Sequence, residues 1–226
     1  MGLDMYLFRT EGNLETAHAV EEILEYKEYL DDPNHSINQK TGRPYTFLQY
    51  FGHKKPEISR EDMKEYSKRY ITRYSYWDEA KRYGHKSIFE QVGYWRKANQ
   101  IHNWFVNNVQ GGEDDCGEYK VTEKQLKGLL ATCYAVKKSI KLADGQIQNG
   151  TRFSNGKCEP IMQDGQYIVD TSVCETLLPT QEGFFFGGTD YDEYYMYDID
   201  NTIKILEEVL ANTDFTKETV TYHASW

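Results

Sequence analysis

The sequence predicts an α+β fold in a single domain, residues 1–226, in which amphipathic helices cover a mainly antiparallel sheet. Apolar and polar residues alternate at both ends of the chain, as in strands, and several segments between the ends repeat apolar residues at helical spacing. Aromatic residues make up 15% of the sequence and hydrophobic residues 39%, which is too rich for a disordered chain. We therefore expect the chain to fold around one core.

The N-terminal part is predicted to pass from a strand into a helix. Residues 2–9 alternate apolar and polar side chains, and residues 14–30 repeat apolar side chains at helical spacing. Residues 33–60 show no period, and a connection of that length is usually functional, so a lid or an interface is expected. Residues 61–83 interleave Lys and Arg with Tyr and Trp, which is typical either of an amphipathic surface helix or of a surface that stacks bases and binds anions.

A longer helix is predicted over residues 86–109, because apolar residues recur there every three or four positions. Gly111 and Gly112 would end this helix. His102 lies on its apolar seam, where an imidazole is more often a hydrogen-bonded core residue than a catalyst.

Arg96, Asn99 and Asn103 would lie along a second face of the same helix, because they are spaced by three and four positions. A guanidinium and two amides supply directional donors that suit a phosphate, a carboxylate or the edge of a base. Asparagines also bridge neighbouring loops, so a structural role is the alternative. The segment offers a ligand-binding face without a motif that specifies a reaction.

The C-terminal half is predicted to contain both helices and strands. A capping box starts a core helix at Thr122. Three glycine turns predict a small β-meander over residues 146–169, and three successive phenylalanines at 184–186 predict a buried central strand. A last helix is expected to take Thr189 as its N-cap, and residues 219–226 are expected to form a strand beside the first one.

Composition and spacing exclude several classes of function. The four cysteines form no Cys-x-x-Cys pair, so neither a zinc knuckle nor a disulfide framework is indicated, and a reducing cytoplasm fits best. The acidic turn at residues 113–115 lacks the spacing of a calcium loop, so no metal site is predicted. No stretch is long and apolar enough for a membrane span. The net charge of −10 argues against binding to duplex nucleic acid, while the net basic residues 52–109 leave room for a local anion site.

The candidate ligand site combines the polar groups of the predicted helix with a downstream turn and nearby aromatic rings. It consists of Arg96, Asn99, His102, Asn103, Thr180, Gln181, Tyr191 and Tyr194. No catalytic residue and no cofactor is assigned, because no Ser-His-Asp, Cys-His or metal constellation has a recognisable spacing. An enzyme would have to use His102 with Asp114 or Asp115 as acid and base.

Several segments resemble a family of uncharacterised proteins encoded by bacteriophages and Firmicute prophages. These segments are MGLDMYL at the start, YWRKANQIHNWFV in the middle and LLPTQEGFFFGGTDYDEYY near the end. The resemblance implies a phage accessory protein that acts in the cytoplasm of the bacterial host, where it takes part in counter-defence.

Three functions follow as hypotheses. In the first, the chain sequesters a small nucleotide-like anion at the candidate ligand site. In the second, it inhibits a host or defence protein by direct contact, through its acidic face or its tyrosine-rich segment. In the third, it modifies a nucleotide as an enzyme. A homo-oligomer is compatible with each of them.

Overall fold

The computed structural model describes residues 2–31, 37–38, 41–73, 85–154, 157–183 and 185–226. Their internal contacts form two compact units. Unit 1 comprises Met1–Phe8, Val92–Phe215 and Val220–Trp226, and unit 2 comprises Arg9–Gln91 and Thr216–Thr219. Unit 1 therefore contains the candidate ligand site, whereas unit 2 contains the predicted lid or interface at 33–60.

Helices and strands follow one another along the described parts of the chain. The helices are α1 (Leu14–Asp31), α2 (Phe47–Phe51), α3 (Arg60–Ser67), α4 (Asn99–Asn108), α5 (Glu123–Ser139), α6 (Ser172–Leu177) and α7 (Glu193–Asn212). The strands are β1 (Asp4–Glu11), β2 (Ile37–Asn38), β3 (Arg43–Pro44), β4 (Tyr70–Ile71), β5 (Lys86–Ser87), β6 (Glu90–Arg96), β7 (Glu118–Val121), β8 (Leu142–Ser154), β9 (Lys157–Ile168) and β10 (Glu218–Ser225).

The main sheet and its helices confirm the predicted α+β class. Its strands lie in the order β6-β1-β10-β7, so the last strand lies beside the first, as predicted. Strands β10 and β7 are antiparallel, with Val220 opposite Val121 and His223 opposite Glu118. The strands predicted at the two ends of the chain are thus the two central strands of this sheet.

The core of unit 1 joins this sheet to α4, α5 and α7. Leu3, Met5 and Leu7 are fully buried. Leu3 directly precedes β1 and the other two lie in it, and their spacing by two places all three side chains on one face. Tyr222 is buried in the same cluster, together with apolar seams of the three helices. Because side chains alternate along a strand, Tyr6 belongs to the opposite face, which is called the outer face below.

Side-chain caps fix the starts of α5 and α7. Thr122 caps α5 in a capping box with Gln125, as predicted. Helix α7 takes Asp192 as its N-cap instead of Thr189, because the carboxylate of Asp192 accepts hydrogen bonds from two backbone N–H groups of the first turn. The N-cap prediction at Thr189 is therefore wrong by three positions.

The helix predicted over residues 86–109 is wrong in its first half. Strand β6 occupies that half, and only α4 is helical. Gly93 is suited to this strand, because glycine disfavours a helix interior and because a Cβ there would lie 2.8 Å from Ile205 Cγ2. Lys97 then adopts a left-handed backbone with a φ of 62°, which separates the strand from the helix.

The β-structure predicted over residues 146–169 is present as one long antiparallel hairpin of β8 and β9. Two of the three predicted turns lie inside its strands instead of between them. The Asn-Gly pair at 149–150 sits at a register shift in β8, and the Asp-Gly pair at 164–165 belongs to β9. The glycine of the second pair leaves room for Ile147, whose side chain would collide with any Cβ there. The third turn, at 155–156, lies outside the described residues.

The buried central strand predicted at residues 184–186 is wrong. Phe186 is buried, but Phe185 is exposed with a left-handed φ of 71°, so the described part of this segment is a loop. The carbonyls of Phe186 and Gly188 accept hydrogen bonds from the side chain of Asn99 instead of from a neighbouring strand. Residue 184 lies outside the described residues.

Unit 2 contains α1, which confirms the helix predicted at residues 14–30. Its interior includes a salt bridge of 2.9 Å between Arg73 and Glu21, with the Arg73 guanidinium 3.6 Å above the Phe89 ring. The connection at 33–60 contains β2, β3 and α2, although its residues 33–36 and 39–40 lie outside the described part. The tyrosine-rich segment at 61–83 begins with α3 and β4, and its residues 74–83 also lie outside the described part.

Candidate functional site

Asn99, the first residue of α4, is buried and uses its whole amide group within the protein. Its Nδ2 donates to the carbonyls of Phe186 at 3.3 Å and Gly188 at 2.8 Å. Its Oδ1 accepts from the backbone N–H of Gln181 at 2.9 Å. Asn99 therefore fastens the loop formed by residues 179–191 to α4, which is the bridging role that asparagines commonly take.

Further predicted site residues lie in the same cluster. Asn103 donates from Nδ2 to the carbonyl of Pro179 at 3.3 Å. Thr180 donates from its hydroxyl to the carbonyl of Thr189 at 3.1 Å, and its backbone N–H donates to the Tyr191 hydroxyl at 3.3 Å. The structure thus brings Asn99, Asn103, Thr180, Gln181 and Tyr191 together around the 179–191 loop, where their contacts stabilise its shape.

His102 lies fully inside unit 1, as its place on the apolar seam predicts. Its Nδ1 is 2.7 Å from the Tyr222 hydroxyl, and its Nε2 is 3.0 Å from Asp114 Oδ2. Because a carboxylate only accepts, Nε2 donates to Asp114, and a neutral imidazole then accepts from Tyr222 at Nδ1. The other oxygen of Asp114 accepts from Trp226 Nε1 at 3.0 Å.

The hydroxyl next to His102 is not placed to meet a substrate. Tyr222 is fully buried and stacks on Phe105 with ring centroids 3.9 Å apart. Burial raises the pKa of Tyr222 well above its ordinary value, so the phenol stays protonated. The geometry joins β10 and the turn at 113–117 to α4, and it buries the hydroxyl that contacts the imidazole.

Arg96 and Tyr194 lie apart from the cluster at the 179–191 loop. Tyr194 is in the first turn of α7, where its hydroxyl accepts from Gln163 Nε2 of β9 at 3.0 Å. Arg96 ends β6 and projects with 56% of its side chain exposed. The helical face expected to join Arg96 to Asn99 and Asn103 does not form, because Arg96 lies on a strand.

Arg96 is accompanied by a row of aromatic rings on the outer face of the sheet. Tyr94, Tyr6 and His223 come from the neighbouring strands β6, β1 and β10. The Tyr94 and Tyr6 ring centroids are 5.3 Å apart, and those of Tyr6 and His223 are 6.3 Å apart with an interplanar angle of 21°. Tyr94 is 38% exposed. We call Tyr94, Tyr6 and His223 the aromatic row.

One carboxylate organises the Arg96 end of the aromatic row. Asp4 Oδ1 accepts from the Tyr94 hydroxyl at 2.5 Å and from Arg96 Nη1 at 3.1 Å. The hydrogen bond to Asp4, and then burial, raise the pKa of Tyr94 above its ordinary value. Tyr94 therefore remains a neutral ring, and its position and that of the guanidinium are fixed by the same oxygen.

Lys97 adds a second cation directly after Arg96. Its side chain is exposed, and within the described part of the chain it forms no ion pair. A left-handed backbone in a residue other than glycine costs on the order of 1 kcal/mol, and such strain is concentrated at functional sites. Gly2 lies beside both cations, since a Cβ on it would be in ordinary van der Waals contact with Lys97 Cε at 3.4 Å and Arg96 Nη2 at 3.5 Å.

Comparison with known proteins adds no assignment. No protein-family model, curated protein or solved structure matches the chain. Among the described residues, no group of His, Cys, Asp and Glu is arranged to hold a metal ion. None of the described helices is long and apolar enough to cross a membrane. The function is therefore inferred from the geometry of the site.

The sequence prediction included Arg96 but omitted the aromatic row and Lys97. Tyr6 could have been found from the alternation of residues 2–9, because it lies between the buried Met5 and Leu7. Tyr94 and His223 carried no comparable signal, since their approach to Tyr6 depends on the order of the strands.

Proposed function

We propose that the chain binds a small nucleotide-like anion on the outer face of the sheet. The base stacks on the aromatic row, and the anionic group binds the side chains of Arg96 and Lys97. The observation that carries this proposal is the row of rings across three neighbouring strands that ends beside two exposed cations.

The rings are suited to a flat, uncharged group. Every nucleobase has a π-face, and stacking of one base on an aromatic side chain contributes about 1–3 kcal/mol. Tyr94 and Tyr6 are tilted by 46°, so their ring edges and faces form a shallow aromatic surface. Cross-strand aromatic pairs also stabilise sheets, which is why the proposal needs the cations as well.

The cations are suited to a phosphate. Arg96 donates to Asp4 and also contacts the Tyr94 hydroxyl, and 56% of its side chain remains exposed. Guanidinium groups bind phosphate oxygens in pairs, and Asp4 limits the orientations that Arg96 adopts, which lowers the entropy lost on binding. Lys97 supplies a second positive charge without a specific geometry.

The cluster at the 179–191 loop supports the site from behind. Phe185 in this loop accepts from the backbone N–H of Leu3 at 3.3 Å, and Lys97 donates its backbone N–H to the Leu3 carbonyl at 2.8 Å. Asn99 fixes the same loop through Phe186 and Gly188. In this proposal Asn99 positions the segment around Lys97 instead of touching the ligand.

The resemblance to phage proteins gives the binding a purpose. A phage accessory protein that holds a signalling nucleotide would keep that nucleotide from a host defence system. Sequestration needs no turnover, which fits a site built from stacking and charge.

Isothermal titration calorimetry with adenosine monophosphate and with cyclic di-adenosine monophosphate tests the proposal. We expect saturable binding that Tyr94→Leu and Arg96→Gln each weaken about tenfold, as loss of one stacking or charge-assisted contact implies. The matched controls are Tyr197→Leu, an exposed tyrosine of α7, and Lys127→Gln, an exposed lysine of α5. Both controls should bind like the parent protein.

The outcomes test the nucleotide site and separate sequestration from an enzymatic function. No saturable binding of either nucleotide, or equal weakening by the control variants, contradicts the site on the outer face. Recovery of a chemically altered nucleotide by mass spectrometry after incubation would replace sequestration by an enzymatic function.

The second candidate function is contact with another protein through the distal part of the β8–β9 hairpin. Phe153, Ile161 and Met162 expose 73%, 46% and 50% of their surface there, and a two-stranded hairpin is marginally stable without a partner. A photo-crosslinker attached to the exposed Cys158, which lies opposite Phe153, would report the partner. This function requires one discrete crosslinked product that Phe153→Ser abolishes.

A further inference from the structure

Unit 2 encloses a cavity of about 240 Å³ whose lining is mainly polar and charged. Its wall combines the end of β1, the pair β4–β5, and one glutamate each from β6 and β10. Strands β4 and β5 run parallel, with Tyr70 opposite Lys86. The volume is below the range of about 300–1,000 Å³ found for drug-sized ligands, so the cavity suits a smaller metabolite.

One side of the cavity is internally neutralised. Arg9 Nη2 lies 2.6 Å from Glu90 Oε2, and Arg9 Nε lies 3.6 Å from Glu218 Oε1. These contacts hold the guanidinium between two carboxylates. The Arg9 side of the wall therefore presents no spare positive charge to a ligand.

Glu11 and Lys86, on the other side, are only loosely paired. Lys86 Nζ is 3.6 Å from Glu11 Oε1, and the Tyr70 hydroxyl is 3.4 Å from Glu11 Oε2. Charge-assisted hydrogen bonds are normally about 2.7–2.9 Å long. The carboxylate and the ammonium thus retain hydrogen-bonding capacity, and their side chains are 62% and 78% exposed at the mouth of the cavity.

We propose that this cavity binds a free α-amino acid, with its ammonium on Glu11 and its carboxylate on Lys86. An α-amino acid carries opposite charges on two groups that are bonded to the same carbon atom, which matches the short separation of Glu11 and Lys86. The site lies wholly in unit 2 and shares no residue with the aromatic row, Arg96 or Lys97, so the two proposals stand or fall independently.

Titration with the standard amino acids, one at a time, followed by calorimetry tests the proposal. We expect one or a few polar amino acids to bind saturably, whereas ethylamine and acetate, which each carry a single charge, bind at least about tenfold more weakly. Glu11→Gln and Lys86→Gln should each abolish most of the binding. Both side chains are largely exposed, so the melting temperature should stay close to that of the parent protein.

One further variant sharpens the test. Lys68→Gln is the matched control, because Lys68 is an exposed lysine of the same unit that pairs with Glu65 outside the cavity.

Three results would overturn the proposal. One is the absence of saturable binding up to about 10 mM of every amino acid. Another is binding that Glu11→Gln and Lys86→Gln leave unchanged. The third is loss of binding in only one of these two variants, because the ligand would then be recognised by a single charge.

Discussion

Residues 94–97 and residues 99–102 are adjacent in the sequence, yet their polar side chains act in opposite ways. In the first stretch, Tyr94 and Arg96 reach the outer face of the sheet, where both donate to Asp4. In the second, Asn99 and His102 are buried, and protein groups take up their hydrogen-bonding atoms. The polarity of a segment therefore does not reveal whether its side chains face a ligand or the interior.

The difference between the stretches is energetic. A buried polar group that loses its partner costs about 1–3 kcal/mol, whereas an exposed group regains hydrogen bonds from water. Changes at residues 99–102 should therefore lower stability. Changes at residues 94–97 should leave stability nearly unchanged and act on binding.

The largest effect is expected from Asn99→Asp. In the parent protein the carbonyls of Phe186 and Gly188 accept hydrogen bonds from the Asn99 amide. The exchange keeps the shape of the side chain but places a carboxylate oxygen against these carbonyls. A buried charge without a compensating donor should lower the free energy of unfolding by about 3–5 kcal/mol at neutral pH. Denaturation by urea, followed by circular dichroism, measures the loss.

Asn107→Asp is the matched control. Asn107 lies on the same helix, is exposed, and donates to the backbone of Asn103. Its exchange should change the free energy of unfolding by less than about 0.5 kcal/mol. Equal losses in the two variants would remove the burial of Asn99 as the explanation.

Asp198→Asn should produce the next largest effect, in the stabilising direction. The Asp198 carboxylate accepts from Gln100 Nε2 at 3.1 Å, and burial, only partly offset by that bond, raises its pKa to about 7. The folded state then binds a proton more tightly than the unfolded state, so this group's contribution to stability is present below about pH 4 and is lost as the pH rises through about 7. At about pH 8 the neutral Asn variant should be more stable by about 2–4 kcal/mol.

The pH dependence provides the control for Asp198. At about pH 4 the parent carboxyl is protonated in the folded state, so the two proteins should have similar stability. Asp170, whose pKa is lowered by hydrogen bonds from Ser172, should behave in the opposite sense, since Asp170→Asn removes a contribution present only above its pKa. If the stability of the parent protein and that of Asp198→Asn depended on pH in the same way, the raised pKa of Asp198 would be contradicted.

Much of the fold could be predicted from local patterns. The alternation around Leu3, Met5 and Leu7 and the capping box at Thr122 identify elements whose signals lie within a few residues. The strand β6 could not be separated from a helix in this way, because Val92, Trp95 and Ala98 also fit helical spacing. Ile205 belongs to α7, which is distant in the sequence, and its close approach requires a glycine at residue 93. Local spacing does not show this contact.

The candidate site was less predictable than the fold. The sequence identified Arg96 and the polar residues of α4, but it placed them on one helical face. The aromatic row depends on β6, β1 and β10 being neighbours, and the strand order arises from packing over the whole of unit 1. Local patterns carry no information about that order, so Tyr6, Tyr94 and His223 could not be grouped in advance.

Trp226→Phe tests whether Asp114 belongs to the buried interior of unit 1. Trp226 is about half exposed, and its Nε1 donates to Asp114, which in turn accepts from His102. Phenylalanine keeps a ring beside Phe186 but removes the donor, so we expect a loss of about 1 kcal/mol in urea denaturation. A loss as large as that of Asn99→Asp would place Asp114 within the closed interior.

Lys97→Gly should stabilise the protein slightly while removing a cation of the proposed site. Glycine adopts a left-handed backbone without the Cβ penalty, so relief of strain at φ 62° should add about 0.5–1 kcal/mol, partly offset by the greater freedom of glycine when unfolded. Lys97→Asn, which also tolerates this backbone, is the control for the loss of charge. Destabilisation by both variants would show that the Lys97 side chain supports the fold.

Arg96→Gln should have the smallest effect on stability, and it decides whether the comparison holds. The guanidinium is more than half exposed, and Asp4 keeps its hydrogen bond from Tyr94 when Arg96 is replaced, so no buried group is left without a partner. We expect an unchanged melting temperature together with the weakening of nucleotide binding, about tenfold, described above. The opposite result is a melting temperature that Arg96→Gln lowers as much as Asn99→Asp does. In that case residues 94–97 stabilise the fold as residues 99–102 do, and the proposed binding site on the outer face is contradicted.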